Sequence, residues 1–506
     1  MPPPDAGLET ELKFEIDSAA AERLQSHPAL GAAAPARHLR TVYFDTPRYD
    51  LKNHGVTLRV RECDGGFVQT VKRRHGARLF ARDEWECAVP AAEPNLEAFA
   101  RTPAAVVLNG HASELAQVFA TKVDRRIGLW RQGDNIIEVS LDVGAIAIGD
   151  RREPIRELEL ELKAGEPSVL FDLARDLSRH AAMRLSFESK GERGYRMAGH
   201  DGAAAIKAEH TALGARITTG EAFRRVARST LVQISANAEL LARTRMGEAV
   251  HQTRVGLRRL RAALAAFKPI VHDEVYARIK AEARWLAGEL DAARDVDVFL
   301  YETFRPAQAE AEDDAALAAL GERLRRVQTE AYEQAVTAAA SPRFSAFLLD
   351  AAAWVESGAW TRAENPDRER PAAEFGAAAL HRLHRKLRRA GRRFAELEPA
   401  ERHDLRIRAK KLRYAAEFFG SAFTGSGQRR RTYVAALKKL QDRLGALNDI
   451  AVARTLGPGF AGARSGELGF TAGLIVGRRE RAEADLIKAA AKDFHALAQV
   501  RPFWLD

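Results

Sequence analysis

The chain has 506 residues, more than one hydrophobic core usually serves, and its 46% hydrophobic and 29% charged composition is that of folded globular domains. That balance excludes a disordered chain, and no run of about 18 uncharged apolar residues exists to span a membrane. The net charge of +10 is uneven: residues 1–200 carry 28 Lys+Arg against 30 Asp+Glu, leaving 51 against 39 for the remainder. A basic surface confined to the C-terminal part points to a polyanionic partner.

The opening Met-Pro-Pro-Pro-Asp has neither the basic nor the apolar region of a secretory signal, which predicts a cytoplasmic protein. Cys63 and Cys87 have no CxxC spacing or histidine partner, so neither a disulfide framework nor a zinc site is expected.

Up to about residue 200 short segments alternate polar and apolar residues, as strands do. Glu9, Glu11 and Lys13 share one face, as do Arg59 and Arg61, then Arg82, Glu84 and Glu86, then Glu157, Glu159, Glu161 and Lys163. One reading is a half-exposed sheet with salt-bridge ladders on its wet side. The other is a closed barrel with a lumen of both charge signs, covered outside by helices such as one over Ser168–His180. In such a lumen carboxylates hold a hard divalent cation, and arginines and lysines neutralise a phosphate chain. Phe14, Tyr43, Phe44 and Trp85 read as core or wall residues.

The order of motifs in this part resembles the CYTH, or triphosphate tunnel metalloenzyme, superfamily. Glu9-Thr-Glu11-Leu-Lys13 is followed by Tyr43-Phe-Asp-Thr-Pro47, Leu58-Arg-Val-Arg61, Thr70-Val-Lys72 and Arg82-Asp-Glu-Trp-Glu86. Asp124-Arg-Arg126, Glu138-Val-Ser-Leu-Asp142, the Glu157–Lys163 strand and Ser189-Lys-Gly-Glu-Arg-Gly-Tyr195 come next. The resemblance implies Mg2+ or Mn2+ held by Glu9, Glu11, Glu159, Glu161 and Asp142, with Glu157 as the alternative third acid. It implies a phosphate cradle of Lys13, Arg59, Arg61, Lys72, Arg125 and Lys190, with Arg82 and Arg193 as further members; for Arg82, Arg126 and Arg193 a structural salt bridge is an equal reading. Lys13, Glu9 and Glu11 are the catalytic group on this view, and attack by a metal-positioned water is the expected chemistry. Tripolyphosphate, cleaved to pyrophosphate and phosphate, is the expected substrate; thiamine triphosphate or ATP, hydrolysed or cyclised, are the alternatives.

After a Gly/Ala/Thr-rich stretch, long alanine-, leucine- and arginine-rich helices begin near Gly220. Two segments repeat: His251 to Arg261 matches His403 to Arg413 at an offset of 152, and Leu290–Asp295 matches Leu444–Asp449 at 154. Each copy places a histidine and three cations on one helix face: His251, Arg254, Arg258 and Arg261, then His403, Arg406, Lys410 and Arg413, flanked by Arg259 and Lys411. A third basic helix carries His381, His384, Arg385 and Arg388. Such stripes can be solvated faces, but two facing each other in a duplicated bundle repel unless an anion lies between them. The pattern resembles the CHAD family, which implies a helical bundle binding long-chain inorganic polyphosphate. Nucleic acid is disfavoured, because Tyr414 is the one aromatic within the stripes.

The expected fold is therefore α+β in two domains. A closed antiparallel β-barrel with flanking helices occupies residues 5–200, and a linker covers 201–218. An all-α bundle follows at 219–500, duplicated over about 219–345 and 372–500. A polyphosphate-tethered binding module without turnover is the non-enzymatic alternative.

Overall fold

The computed structural model describes residues 10–30, 35–63, 65–73, 83–100, 102, 105–108, 112–199, 204–208, 211–214, 216–311, 313–461 and 466–505. Contacts divide these into two units: residues up to Ile206 with Ser341–Gly358, and Lys207–Ala340 with Ala359 onward.

The first unit is built on a nine-stranded antiparallel sheet. Its strands are β1 (Thr10–Ile16), β2 (Arg37–Asp45), β3 (Val56–Cys63), β4 (Gly66–Arg73), β5 (Asp83–Val89), β6 (Ala116–Gln132), β7 (Asn135–Ile148), β8 (Arg151–Ala164) and β9 (Met183–Leu185). They run side by side in the order β5-β4-β3-β2-β6-β7-β8-β1-β9. Gly133-Asp134 and Gly149-Asp150 make two-residue turns between the long strands, and both glycines have the positive φ that the first position of such a turn demands.

Register puts the charges on one face. Arg125, Asp142 and Glu157 lie abreast on β6, β7 and β8; Ser140, Glu159 and Lys13 form the next rung across β7, β8 and β1; Glu138, Glu161 and Glu11 form the third. Further along the sheet Arg59 pairs with Thr70, which pairs with Glu86, and Lys72 pairs with Glu84. The reverse face is apolar, with Leu12, Phe14, Val42, Leu58, Val60, Leu141 and Leu158 all buried. The helix Ser168–His180, where the sequence placed it, buries Leu170, Phe171, Leu173, Ala174 and Leu177. The helix Pro342–Ser357 packs on it, with Arg175 Nε donating to Asp350 at 3.0 Å.

The barrel is not closed by hydrogen bonds, which corrects the sequence expectation: among the described residues β5 and β9 each pair on one side only. The reason lies at Leu185. There the chain leaves a three-residue strand and enters a capping box, in which the Ser189 hydroxyl accepts from Glu192 N and the Glu192 carboxylate accepts from Ser189 N. The helix that follows, Lys190–Met197, lies over the charged face. A Cβ on Gly194 would come within 2.0 Å of the Phe119 ring, so only glycine permits that approach.

The second unit is helical. Helices Thr219–Thr244 and Gly247–Ala266 head the first repeat, and Ala372–Ala390 and Pro399–Phe419 the second. Their common core contains Phe223 and Phe267 against Phe375 and Phe419, with Phe267 and Phe419 ring centroids 4.8 Å apart. Phe375 and Phe419 stand 152 residues after Phe223 and Phe267, so the duplication extends into the core. No helix among the described residues is long and apolar enough to cross a membrane.

Candidate functional site

On the charged face of the sheet, three carboxylates from neighbouring strands converge. Asp142, Glu157 and Glu159 each offer an oxygen within 4.8 Å of the others, and Asp142 and Glu157 are fully buried. Lys190, the first residue of its helix, reaches all three, at 2.8 Å from Asp142 Oδ2, 2.5 Å from Glu157 Oε2 and 2.8 Å from Glu159 Oε1. Arg125 donates from Nε to Asp142 Oδ1 at 2.7 Å, and from Nη2 to Asp142 Oδ2 and Glu159 Oε2 at 2.6 Å each.

Burial opposes charge on Asp142, Glu159, Lys190 and Arg125, yet their partners outweigh it. Lys190 is held well above the ordinary lysine range by Asp142, Glu157 and Glu159 despite burial. Glu159 is held well below the ordinary carboxylate range, its burial overcome by Lys190, Arg125 and Lys13. The Lys13 ammonium donates to the Glu188 carbonyl.

Further along this face the balance turns positive. Lys72 Nζ is 2.8 Å and Arg59 Nη2 3.4 Å from Glu84. Arg59 Nε and Arg61 Nε are buried without a hydrogen-bond partner. Arg59, then burial, then Arg125 push Arg61 down to about 10. A guanidinium disfavoured by neighbouring cations in this way is one that an added anion would stabilise.

Of the residues expected here from sequence, the structure thus brings together Asp142, Glu159, Arg125, Lys190 and Lys13, with Arg59, Arg61 and Lys72 along the same face. Glu9 and Arg82 lie outside the described residues. Glu161 sits one rung farther out than Glu159, paired with Lys163 at 2.6 Å. Arg193 borders the triad: its nitrogens donate to Glu153 and Glu157 at 2.9 Å and to the Pro154 carbonyl at 2.6 Å. Asp45 of the Tyr43–Pro47 motif accepts from the backbone of Thr46, Leu51 and Lys52 and from Tyr195 Oη, a loop-shaping role. Tyr43 and Phe119 stack at 4.4 Å, and Tyr195 meets Phe119 edge-on.

The helical unit draws its two stripes together. Arg258 acts on both Arg406 and Lys410, whose charges it disfavours, so the Gly247–Ala266 and Pro399–Phe419 helices present their cations to one another. Burial, then Arg406, Arg258 and Arg413, push Lys410 down to about 7. Burial and Arg294 push His251 down to about 4. Arg254 Nε, Arg258 Nε, Arg406 Nε and Arg413 Nε are buried without a hydrogen-bond partner.

Asp295 and Asp449, one from each repeat, lie within electrostatic reach of one another among these cations, and burial raises both. Neither was singled out from sequence, although the matched Leu290–Asp295 and Leu444–Asp449 segments were the signal. Among the differences between the repeats, His403 Nδ1 is 2.7 Å from Asn448 Oδ1, where the first copy has Arg294.

Other members of the expected set point elsewhere. Arg259 is buried against Glu417 at 3.1 Å and over the Phe418 ring, Arg413 reaches Glu417 at 3.4 Å, and Lys411 is exposed. His384 is buried and bonds Tyr433 Oη at 2.8 Å, while Arg385 and Arg388 on the same helix are exposed. His381 and Arg388 act on His384, and Tyr414 is buried.

Comparison with known proteins follows this division. The model of the CYTH domain matches residues 7–195, and that of the CHAD domain residues 225–457. An inorganic triphosphatase of Haemophilus influenzae is 31% identical over 166 residues, 31% of this chain and 45% of that protein, so the chain spans less than half the relative's length. The crystal structure of the CHAD domain from the plant Ricinus communis is similar at 29% identity and a TM-score of 0.51, covering 58% of this chain and 98% of that one. A putative adenylyl cyclase from Hippeastrum, described as having a dominant triphosphatase activity, matches at 15% identity over 38% of this chain and 95% of that one. Its TM-score of 0.28 is too low to bear on fold or function.

Proposed function

Because this chain joins a CYTH domain to a CHAD domain, we propose that it is a metal-dependent inorganic triphosphatase with a polyphosphate-binding helical unit. The observation that carries the reading is the single sheet face on which the oxygens of Asp142, Glu157 and Glu159 meet the guanidinium groups of Arg125, Arg59 and Arg61. A purely basic face would bind a phosphate chain and offer a metal nothing; a purely acidic one would repel the chain.

The triad fits a hard divalent cation such as Mg2+ or Mn2+, with Glu11, Glu161 and Glu9 as further oxygen donors. When bound, such an ion neutralises phosphate oxygens and makes water a better nucleophile near neutral pH. Arg59, Arg61 and Lys72 take the distal phosphates, and Arg125, Lys13 and Lys190 hold the one that is attacked. Water forms a new P–O bond as the P–O bond to the bridging oxygen breaks, releasing orthophosphate and pyrophosphate from tripolyphosphate.

The aromatic side chains of this face support an inorganic substrate. Tyr43, Phe119 and Tyr195 are each buried in mutual contact, which leaves them unavailable to stack on a nucleobase or thiamine ring. Initial rates on tripolyphosphate, thiamine triphosphate and ATP with Mg2+ and Mn2+ test this. Tripolyphosphate is expected to lead in kcat/KM by roughly tenfold or more, about 1.4 kcal/mol of differential binding. A preference for either organic triphosphate, or cyclic nucleotide formation, contradicts it.

For the helical unit, Lys410 gives the sign of the pH dependence. A lysine held near 7 is charged below that pH and neutral above it, so the site loses a cation as pH rises from 6 to 8. Affinity for long-chain polyphosphate falls over that window, by up to about tenfold per pH unit, the limit for one linked proton. Calorimetric titration at constant ionic strength reads it, and Lys410→Arg flattens the profile. A wild-type profile already flat contradicts the assignment.

A further inference from the structure

The carboxylate triad already has an occupant. Lys190 Nζ stands within 2.8 Å of an oxygen of each of Asp142, Glu157 and Glu159, at the point where their oxygens converge. With Arg125 on Asp142 and Glu159, and Arg193 on Glu157, three cations already balance the three carboxylates. A divalent ion cannot enter beside the ammonium without placing like charges in contact in a buried site. Nor is the triad saturated: Glu157 Oε2 is buried and has the ammonium at 2.5 Å, yet makes no hydrogen bond of proper geometry. Lys190 is the first residue of its helix, on a flexible four-carbon stem, and can swing without moving the backbone.

We propose that Lys190 is the resting counter-ion of the triad, held where the divalent cation binds, and that it moves onto phosphate when cation and triphosphate arrive together. The triad then binds metal tightly only in the company of the anion, so the species the site accepts is the metal–triphosphate complex. This rests on the triphosphatase reading for the identity of the anion, while its metal half stands apart. By linkage, the factor by which the anion strengthens metal binding equals the factor by which metal strengthens anion binding, whatever its size.

Free Mn2+ measured by electron paramagnetic resonance in titrations of the full chain tests this without turnover, using imidotriphosphate as a non-hydrolysable anion and correcting for its own Mn2+ complex. The wild type is expected to bind Mn2+ roughly tenfold or more tighter with the anion than without it. Lys190→Met binds Mn2+ alone at least about tenfold tighter than the wild type does, and adding Glu157→Gln removes that gain. Lys190→Gln, uncharged but still a hydrogen-bond donor, gives the same gain and serves if the methionine variant does not fold.

Equal Mn2+ binding by the wild type and both Lys190 variants overturns the proposal, as does wild-type binding that the anion does not strengthen. A wild type that fails to hydrolyse tripolyphosphate while Lys190→Met still gains Mn2+ removes the triphosphatase reading and leaves the counter-ion role. Hydrolysis with no gain removes the counter-ion role alone.

Discussion

Glu159→Gln lowers Mg2+-dependent phosphate release from tripolyphosphate on the order of 100-fold, about 2.7 kcal/mol at 1.36 kcal/mol per decade. The size of the effect follows from its position. Glu159 touches Arg125, Lys190 and, through charge, Lys13, so on the proposed function its loss removes a metal donor and loosens three phosphate-binding cations together. Glu161→Gln is expected to cost roughly tenfold less, because Glu161 lies one rung outward and its carboxylate is held by the half-exposed Lys163. Initial rates at saturating Mg2+, with thermal melts to verify folding, compare the two. Rates for Glu159→Gln within about threefold of the wild type would place the metal elsewhere.

Reversing charge at the meeting point of the two stripes, Arg258→Glu with Arg406→Glu, lowers affinity for long-chain polyphosphate by roughly 100-fold or more at low salt. These arginines come from the two halves of the duplication and Arg258 disfavours the charge of Arg406, so an anion between them relieves their repulsion. The reversal also places carboxylates beside Lys410 and Arg254, closing the site by internal pairing. The slope of log affinity against log salt should fall with it, since each lost phosphate contact releases fewer counter-ions. Calorimetry across a salt series, with circular dichroism to confirm helicity, reads both. Unchanged affinity would move the binding surface to the exposed Arg385 and Arg388. Equal competition by RNA at matched phosphate concentration would make it a general polyanion site.

Period-2 alternation told which residues share the charged face, because side-chain direction along a strand is a local property. Depth was not legible in the same way. Glu157, Glu159 and Glu161 are equivalent in the alternation, and only the pairing of β8 with β7 sets Glu157 beside Asp142 at the buried end and Glu161 beside Glu138 at the open one. Tertiary packing likewise sets Arg193, on the helix Lys190–Met197, against Glu153 and Glu157, contacts that its local sequence does not show.

Closure of the barrel is expected from the two-signed face, the apolar reverse face and the resemblance to tunnel enzymes. A helix laid across that face satisfies the same charges, and nothing in the β9 sequence announces that the strand stops after three residues. In the helical half the histidine-led stripes were readable from spacing. The carboxylates between them, Asp295 and Asp449, were visible as a repeat but not as part of a site, since the packing of their helices against the stripes is a tertiary fact.

On the proposed function, the charged face of the sheet hydrolyses an inorganic triphosphate with a divalent cation. Phosphorus NMR of the full chain with tripolyphosphate and Mg2+ tests it most directly. Orthophosphate and pyrophosphate are expected in equal amounts, with both signals halted by EDTA and restored by excess Mg2+. Tripolyphosphate left intact, or consumed at the same rate in EDTA, would contradict it.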